Sequence, residues 1–171
     1  MLVLVCGLPG TGKSTVAERV VDLLPAHLLR TDVVRKELFP EPTYAAAESA
    51  AVYDELFQRA RDRLDAGDHV VLDATFRQRA LRQRAADVAA DADAEFRLVR
   101  VTCAESVVRE RIRRRQQYED DESDADVSVY NQLKAEFEPI QGDDHVVVDN
   151  SGSLAATFDA VDEAFRTTAA A

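Results

Sequence analysis

The chain has 171 residues, a formal net charge of −11, three lysines, three histidines and two cysteines. That length suits one domain with a core large enough to need no disulfide staples. Its longest apolar run, about six residues at the N-terminus, falls far short of the roughly 20 of a membrane span, so a cytoplasmic protein is expected. The acidic balance argues against a nucleic-acid partner. An aspartate-rich, lysine-poor surface also suits concentrated salt, where at 1 M the Debye length shrinks to about 3 Å and net charge says little about substrate. On that reading the melting temperature should climb from low to molar salt as carboxylates cease to repel one another. A series of melts that does not move with salt removes it.

In chain order, the apolar run "MLVLVC" reads as a strand, "GLPGTGKST" (7–15) as a loop, and about 13–24 as a helix. Gly7, four residues, Gly12, Lys13 and Ser14 form the phosphate-loop pattern in the strand–loop–helix setting it requires. Gly7, Gly10 and Gly12 let backbone N–H groups curl around a phosphate at the positive end of the helix, with Leu8, Pro9, Thr11 and Thr15 completing the cradle. Lys13 brings a mobile charge to the β- and γ-phosphates, and the Ser14 hydroxyl a ligand for Mg²⁺. No guanine-reading Asn-Lys-x-Asp follows, which leaves ATP as the expected nucleotide.

The next strand, "HLLR", runs into "RTDVVRKEL", a helix over about 32–39. Asp32 stands at the strand's carboxyl end, with Arg35 one helical turn later on the same face. A carboxylate there can accept a hydroxyl proton, and a guanidinium can grip acceptor or phosphate. The alternative for Asp32 is a plain helix cap. Pro40 and Pro42 interrupt the chain before a helix over about 43–66, whose Tyr53, Leu56, Phe57, Ala60 and Leu64 mark a core stripe. Gly67 ends it before the strand "HVVLDA".

A helix over about 76–92, the strand "FRLVRVT" and a helix over about 104–117 come next. That last helix carries Arg109, Arg111, Arg113, Arg114 and Arg115, with Val108 and Ile112 as its buried stripe. "EDDESDAD" (119–126) reads by default as a solvated loop. Helices over about 127–138 and 153–168 flank the final strand, "HVVVDN". Strands alternating with helices predict an α/β fold of three layers around a parallel sheet buried on both faces. His27, His69 and His145 each open an apolar run, at the N-terminal edge of such a sheet and away from the end where sites form. A zinc site or a histidine base is therefore not expected. Cys6 and Cys103 lie in apolar runs as free thiols.

"GLPGTGKST", "RTDVVRKEL", "VVLDATF" with Arg77 and Arg82 after it, the arginine helix and "SDAD" together resemble the small P-loop kinases of the nucleotide-kinase-like group. Polynucleotide 5′-hydroxyl kinase domains, gluconate and shikimate kinases and zeta-toxin sugar-nucleotide kinases are more distant likenesses. The resemblance implies a five-stranded sheet in the order 2-3-1-4-5 and a helical lid at about 109–126. It also implies ATP with Mg²⁺, and transfer of the γ-phosphoryl group to the hydroxyl of a small-molecule or nucleotide-like acceptor. By position, Lys13 and Ser14 match the loop's catalytic pair, Asp32 the general base and Arg35 the acceptor clamp. Asp73 matches an acidic residue that holds a Mg²⁺-bound water or orients Arg35, its alternative being a cap for the helix near Phe76. Arg111 and Arg115, four apart and on one face, are the expected lid arginines, with Arg114 in reserve. Asn150 and Ser151 resemble the loop that borders adenine, although "NSGS" is equally an ordinary turn. The competing reading from another class is an ATP-binding switch that regulates a partner protein. Such a switch needs the loop but neither Asp32 nor Arg35.

Overall fold

Every residue of β1 (Leu2–Cys6) is buried in the computed structural model, which describes residues 1–115, 126–142 and 145–166. β1 is apolar throughout because it is the middle of a parallel sheet covered on both faces. β3 (His69–Ala74) and β4 (Phe96–Thr102) pair with it on either side. β2 (Ala26–Arg30) lies outside β3, and β5 (Val146–Asp149) outside β4, giving the order 2-3-1-4-5.

Alternation along the strands divides the core in two. Leu2, Leu4, Cys6, Val70 and Leu72 pack beneath α2 (Thr31–Leu38), α3 (Ala46–Asp65) and α4 (Arg79–Asp91). Val3, Val5, Val71 and Val99 pack on the opposite face under α1 (Lys13–Leu23) and α7 (Leu154–Arg166). α5 (Glu105–Arg115) and α6 (Val127–Glu136) form a third cluster, in which Val108, Ile112 and Tyr130 sit against Leu8. Leu56, Phe57, Ala60 and Leu64 are core as expected, while Tyr53 is half-buried with its ring 5.4 Å from that of Phe76. Among the described residues no helix is long and apolar enough to cross a membrane, and no cluster of three or more His, Cys, Asp or Glu could hold a metal ion.

Three helix limits differ from expectation, each for a local reason. α3 starts three residues later than predicted because Tyr44 takes a left-handed φ of 58° and the Glu48 carboxylate accepts from Thr43 N (2.8 Å) and Tyr44 N (3.2 Å). α4 starts at Arg79 because Phe76, fully buried, has φ 46° and turns the chain there. α6 stops at Glu136, after which Glu138 N donates to Arg77 O at 2.9 Å. The acidic stretch lies outside the described residues except Asp126, whose Oδ1 caps α6 by accepting from Val129 N at 2.8 Å. His69 meets the Met1 amine at 3.0 Å and His27 the Asp68 carboxylate at 3.1 Å, both at the edge remote from the strands' carboxyl ends.

Candidate active site

The carboxyl ends of β1, β2 and β3 open on one cleft of about 1150 Å³, lined in part by Lys13, Ser14, Asp32, Arg35, Asp73 and Arg115. Parallel neighbours put these groups together: β1 leads into the glycine loop, β2 into Asp32, and β3 ends beside both. The loop itself is held from behind. A Cβ on Gly10 would meet Val108 Cγ1 at 2.9 Å, and one on Gly12 would come to 2.0 Å from Asn150 Nδ2. Gly12 also has φ 88°, which L side chains rarely adopt. Gly12→Ala should therefore push the loop off Asn150, weakening ATP binding at least tenfold and lowering the melting temperature. Calorimetric titration and a thermal melt measure the two effects.

Lys13 Nζ donates to Leu8 O at 3.1 Å, folded over the loop. Burial lowers its pKa, and the carboxylates of Asp73 and Asp32 oppose that shift. Ser14 Oγ donates to Asp73 Oδ2 at 2.7 Å, so a hydroxyl and a carboxylate meet at the mouth of the loop. Hard oxygen donors with room for water and phosphate oxygens fit Mg²⁺. Asp73 is not the cap of α4, whose N-cap is Gln78. Nor does Asp32 cap α2: the N-cap is Arg30, and Asp32 lies within the first turn. Burial raises the pKa of Asp32, with Lys13 opposing and Asp73 reinforcing the rise.

Arg35 is buried and oriented by a partner that the sequence did not single out. Its Nη1 donates to Glu48 Oε1 at 2.6 Å and its Nη2 to Ser49 Oγ at 3.3 Å, while the guanidinium lies 4.7 Å over the Tyr44 ring. Burial alone would push Glu48 up; hydrogen bonds from Thr43, Arg35 and Tyr44 outweigh it and hold the carboxyl at about 2. Asp73, expected as one possible orienter of Arg35, faces Ser14 and lies 3.8 Å from Arg30 Nε.

Two residues expected at the nucleotide contact the loop backbone here. Arg111 does not line the cleft: its Nη1 donates to Thr11 O (3.4 Å) and its Nη2 to Asn150 O (2.9 Å), so it braces the loop from beneath. Asn150 is buried with its amide occupied, Nδ2 donating to Thr11 O at 2.9 Å and Oδ1 accepting from Thr157 Oγ1 at 2.8 Å. Ser151 Oγ accepts from Ala104 N at 2.7 Å. Arg114 and Arg115 do line the cleft, and Arg115 is near enough to Lys13 to help lower its pKa. Lid positions 116–125 lie outside the described residues. Arg82, noted only for the resemblance, is buried and donates to four backbone carbonyls: Phe76, Arg77, Glu138 and Pro139. It ties the β3–α4 turn to the segment after α6.

Comparison with known structures gives the same architecture. Chaetomium thermophilum Kti12 in complex with ADP-AlF3 superposes with a TM-score of 0.76 at 19% identity, covering 97% of this chain and 98% of that one. A gluconokinase from Sinorhizobium meliloti gives 0.69 at 19%, covering 98% and 94%. The Mycobacterium tuberculosis APS kinase CysC in complex with AMPPNP and APS gives 0.66 at 20%, covering 96% of each chain. In sequence, uncharacterized proteins of Mycobacterium tuberculosis and Mycobacterium bovis are 37% identical over 123 residues, 65% of this chain. The match spans 25% of those relatives' own length. The glycine loop, the Asp32 helix and the Ser14–Asp73 pair, on a sheet ordered as in a nucleotide-kinase-like P-loop protein, agree with the family model that matches residues 2–140: the chain belongs to the AAA domain family.

Proposed function

We propose that the protein is an ATP-dependent kinase that transfers the γ-phosphoryl group of ATP to a hydroxyl of a small acceptor. One observation carries the reading: Asp32, a carboxylate not spent on capping, faces the same cleft as Lys13 and the Ser14–Asp73 pair. A nucleotide switch requires the loop but no base at the acceptor side.

Asp32 takes the proton of the acceptor hydroxyl as its oxygen bonds to the γ-phosphorus. The bond from that phosphorus to the β–γ bridging oxygen breaks, its electron pair remaining on ADP. Burial strengthens Asp32 as a base by raising its pKa. Lys13 leaves Leu8 O for the β- and γ-phosphates, and Arg115 and Arg114, in place of Arg111, meet the triphosphate from α5. Mg²⁺, when bound by Ser14 and Asp73, supplies charge neutralisation between the phosphates. Arg35, fixed by Glu48, positions the acceptor. α5 opens the lid of about 109–126.

The test is transfer of label from γ-labelled ATP to a panel of alcohols, read by product mass. Labelled product should form, cease on chelation with EDTA and return with added Mg²⁺. Label released only to water, at a slow rate, would favour the switch.

A further inference from the structure

We infer that Tyr53 reads the acceptor: its hydroxyl donates a hydrogen bond to an acceptor oxygen beside the one that is phosphorylated, so the substrate carries oxygens on neighbouring carbons. The inference rests on the kinase reading and narrows its substrate class. By spacing, Tyr53 belongs to the core stripe of α3 with Leu56, Phe57, Ala60 and Leu64. Those four are buried, whereas Tyr53 is half-buried and lines the same cleft as Asp32 and Arg35. Its ring still packs as a core ring would, 5.4 Å from that of Phe76 and 6.2 Å from that of Phe57.

The hydroxyl is fixed through its oxygen. Phe76 N donates to Tyr53 Oη at 3.3 Å, from a residue with φ 46°, a backbone conformation that a bulky side chain rarely takes. A phenol can both accept and donate. Among the described residues no hydrogen bond takes up the Tyr53 O–H, so the bond from Phe76 holds the oxygen and leaves its proton for a ligand in the cleft. Burial pushes the phenol up to about 12, so it stays a donor at any pH where a carboxylate base works.

The charges around the phenol place it at the acceptor end. Arg77, Asp32 and Arg35 act on Tyr53, while Asp73, Asp32 and Arg115 act on Lys13. Asp32 is common to both sets, so an acceptor held between Asp32 and the γ-phosphate also comes within range of the tyrosine. The oxygen that gives its proton to Asp32 must point a lone pair at the γ-phosphorus. A second donor on that same oxygen would draw electron density from the forming bond and slow attack. Tyr53 therefore serves an oxygen on the next carbon, a hydroxyl or a ring ether, and so selects which hydroxyl reaches Asp32. Sugars, polyols and the sugar of a nucleoside all offer such a pair.

Tyr53→Phe tests this in the full chain with ATP and Mg²⁺, on glycerol, free sugars and nucleosides, each paired with the deoxy or carbocyclic analogue that lacks the oxygen beside the phosphorylated carbon. In the parent, kcat/KM should be about tenfold to a hundredfold higher for the member that has the neighbouring oxygen, the scale of leaving an enclosed hydroxyl without its partner. In Tyr53→Phe, which keeps both ring contacts, the two members should come within about threefold of each other through a raised KM for the better one, with ATP affinity unchanged. Loss of the bond from Phe76 alone would lower both members by the same factor. That result, an unaltered preference in the variant, or no preference in the parent overturns the inference and leaves the kinase reading standing. ATP binding without transfer to any of these acceptors overturns the kinase reading, and this inference with it.

Discussion

Lys13→Ala should abolish phosphoryl transfer, lowering it by at least about 10³-fold, because removing one preorganised donor from a developing phosphoryl charge already costs about 10²–10³-fold and Lys13 adds a full charge. The side chain lies over the loop at Leu8 O, and the Asp73 carboxylate is near enough to oppose the fall in its pKa. Its loss should not unfold the protein. Burial disfavours the Lys13 ammonium while Asp73 and Asp32 favour it, so the melting temperature should change little. Single-turnover assays alongside thermal melts separate the two effects. Undiminished turnover in a folded variant would mean that this loop is not the working one.

Asp32→Asn carries the second large effect, a fall in transfer of about 10²–10⁴-fold with ATP affinity nearly unchanged. Size and hydrogen bonding are kept; the base is lost. The pH profile should show it too. Because burial raises the pKa of Asp32, activity in the parent falls with acid along a limb displaced above the ordinary carboxylate range, and in Asp32→Asn that limb vanishes. The sign for stability runs the other way: a carboxyl with a raised pKa adds stability only at low pH and loses it as pH rises through that pKa. At neutral pH the Asn variant should melt no lower than its parent. Arg35→Lys keeps the charge but loses the fork that engages Glu48 and Ser49 together, so acceptor KM should rise along with the loss of rate. Equal rates in Asp32→Asn and parent would leave the ATP site standing and remove the mechanism.

The sheet was legible because a strand buried on both faces must be apolar at nearly every position, as β1 and β3 are, and the shorter β-rich runs of β2, β4 and β5 alternate with helical patterns. The phosphate loop was legible for a different reason: its function depends on backbone geometry, and that leaves glycines at fixed spacing. Side-chain direction is another matter. Arg111 and Arg115 share a helix face, yet Arg111 is drawn down to two backbone carbonyls that only the folded chain brings beneath α5. Asn150 reads as a turn residue because Thr11, its partner, lies 139 positions away. Glu48 escaped notice for a similar reason. An acidic residue in the first turn of a helix is ordinary, and only its contacts with Arg35, Thr43 and Tyr44 set it apart.

The bond from Asn150 to the Thr11 carbonyl bears on the order in which the molecule assembles. Loop closure over so long a stretch of chain is entropically expensive and slow, whereas the strand, loop and helix at the N-terminus are local. The glycine loop can therefore appear early in shape but acquires its rear support only when β5 has joined β4 and Thr157 of α7 has docked on the Asn150 amide. Tight nucleotide capture becomes a late event in folding.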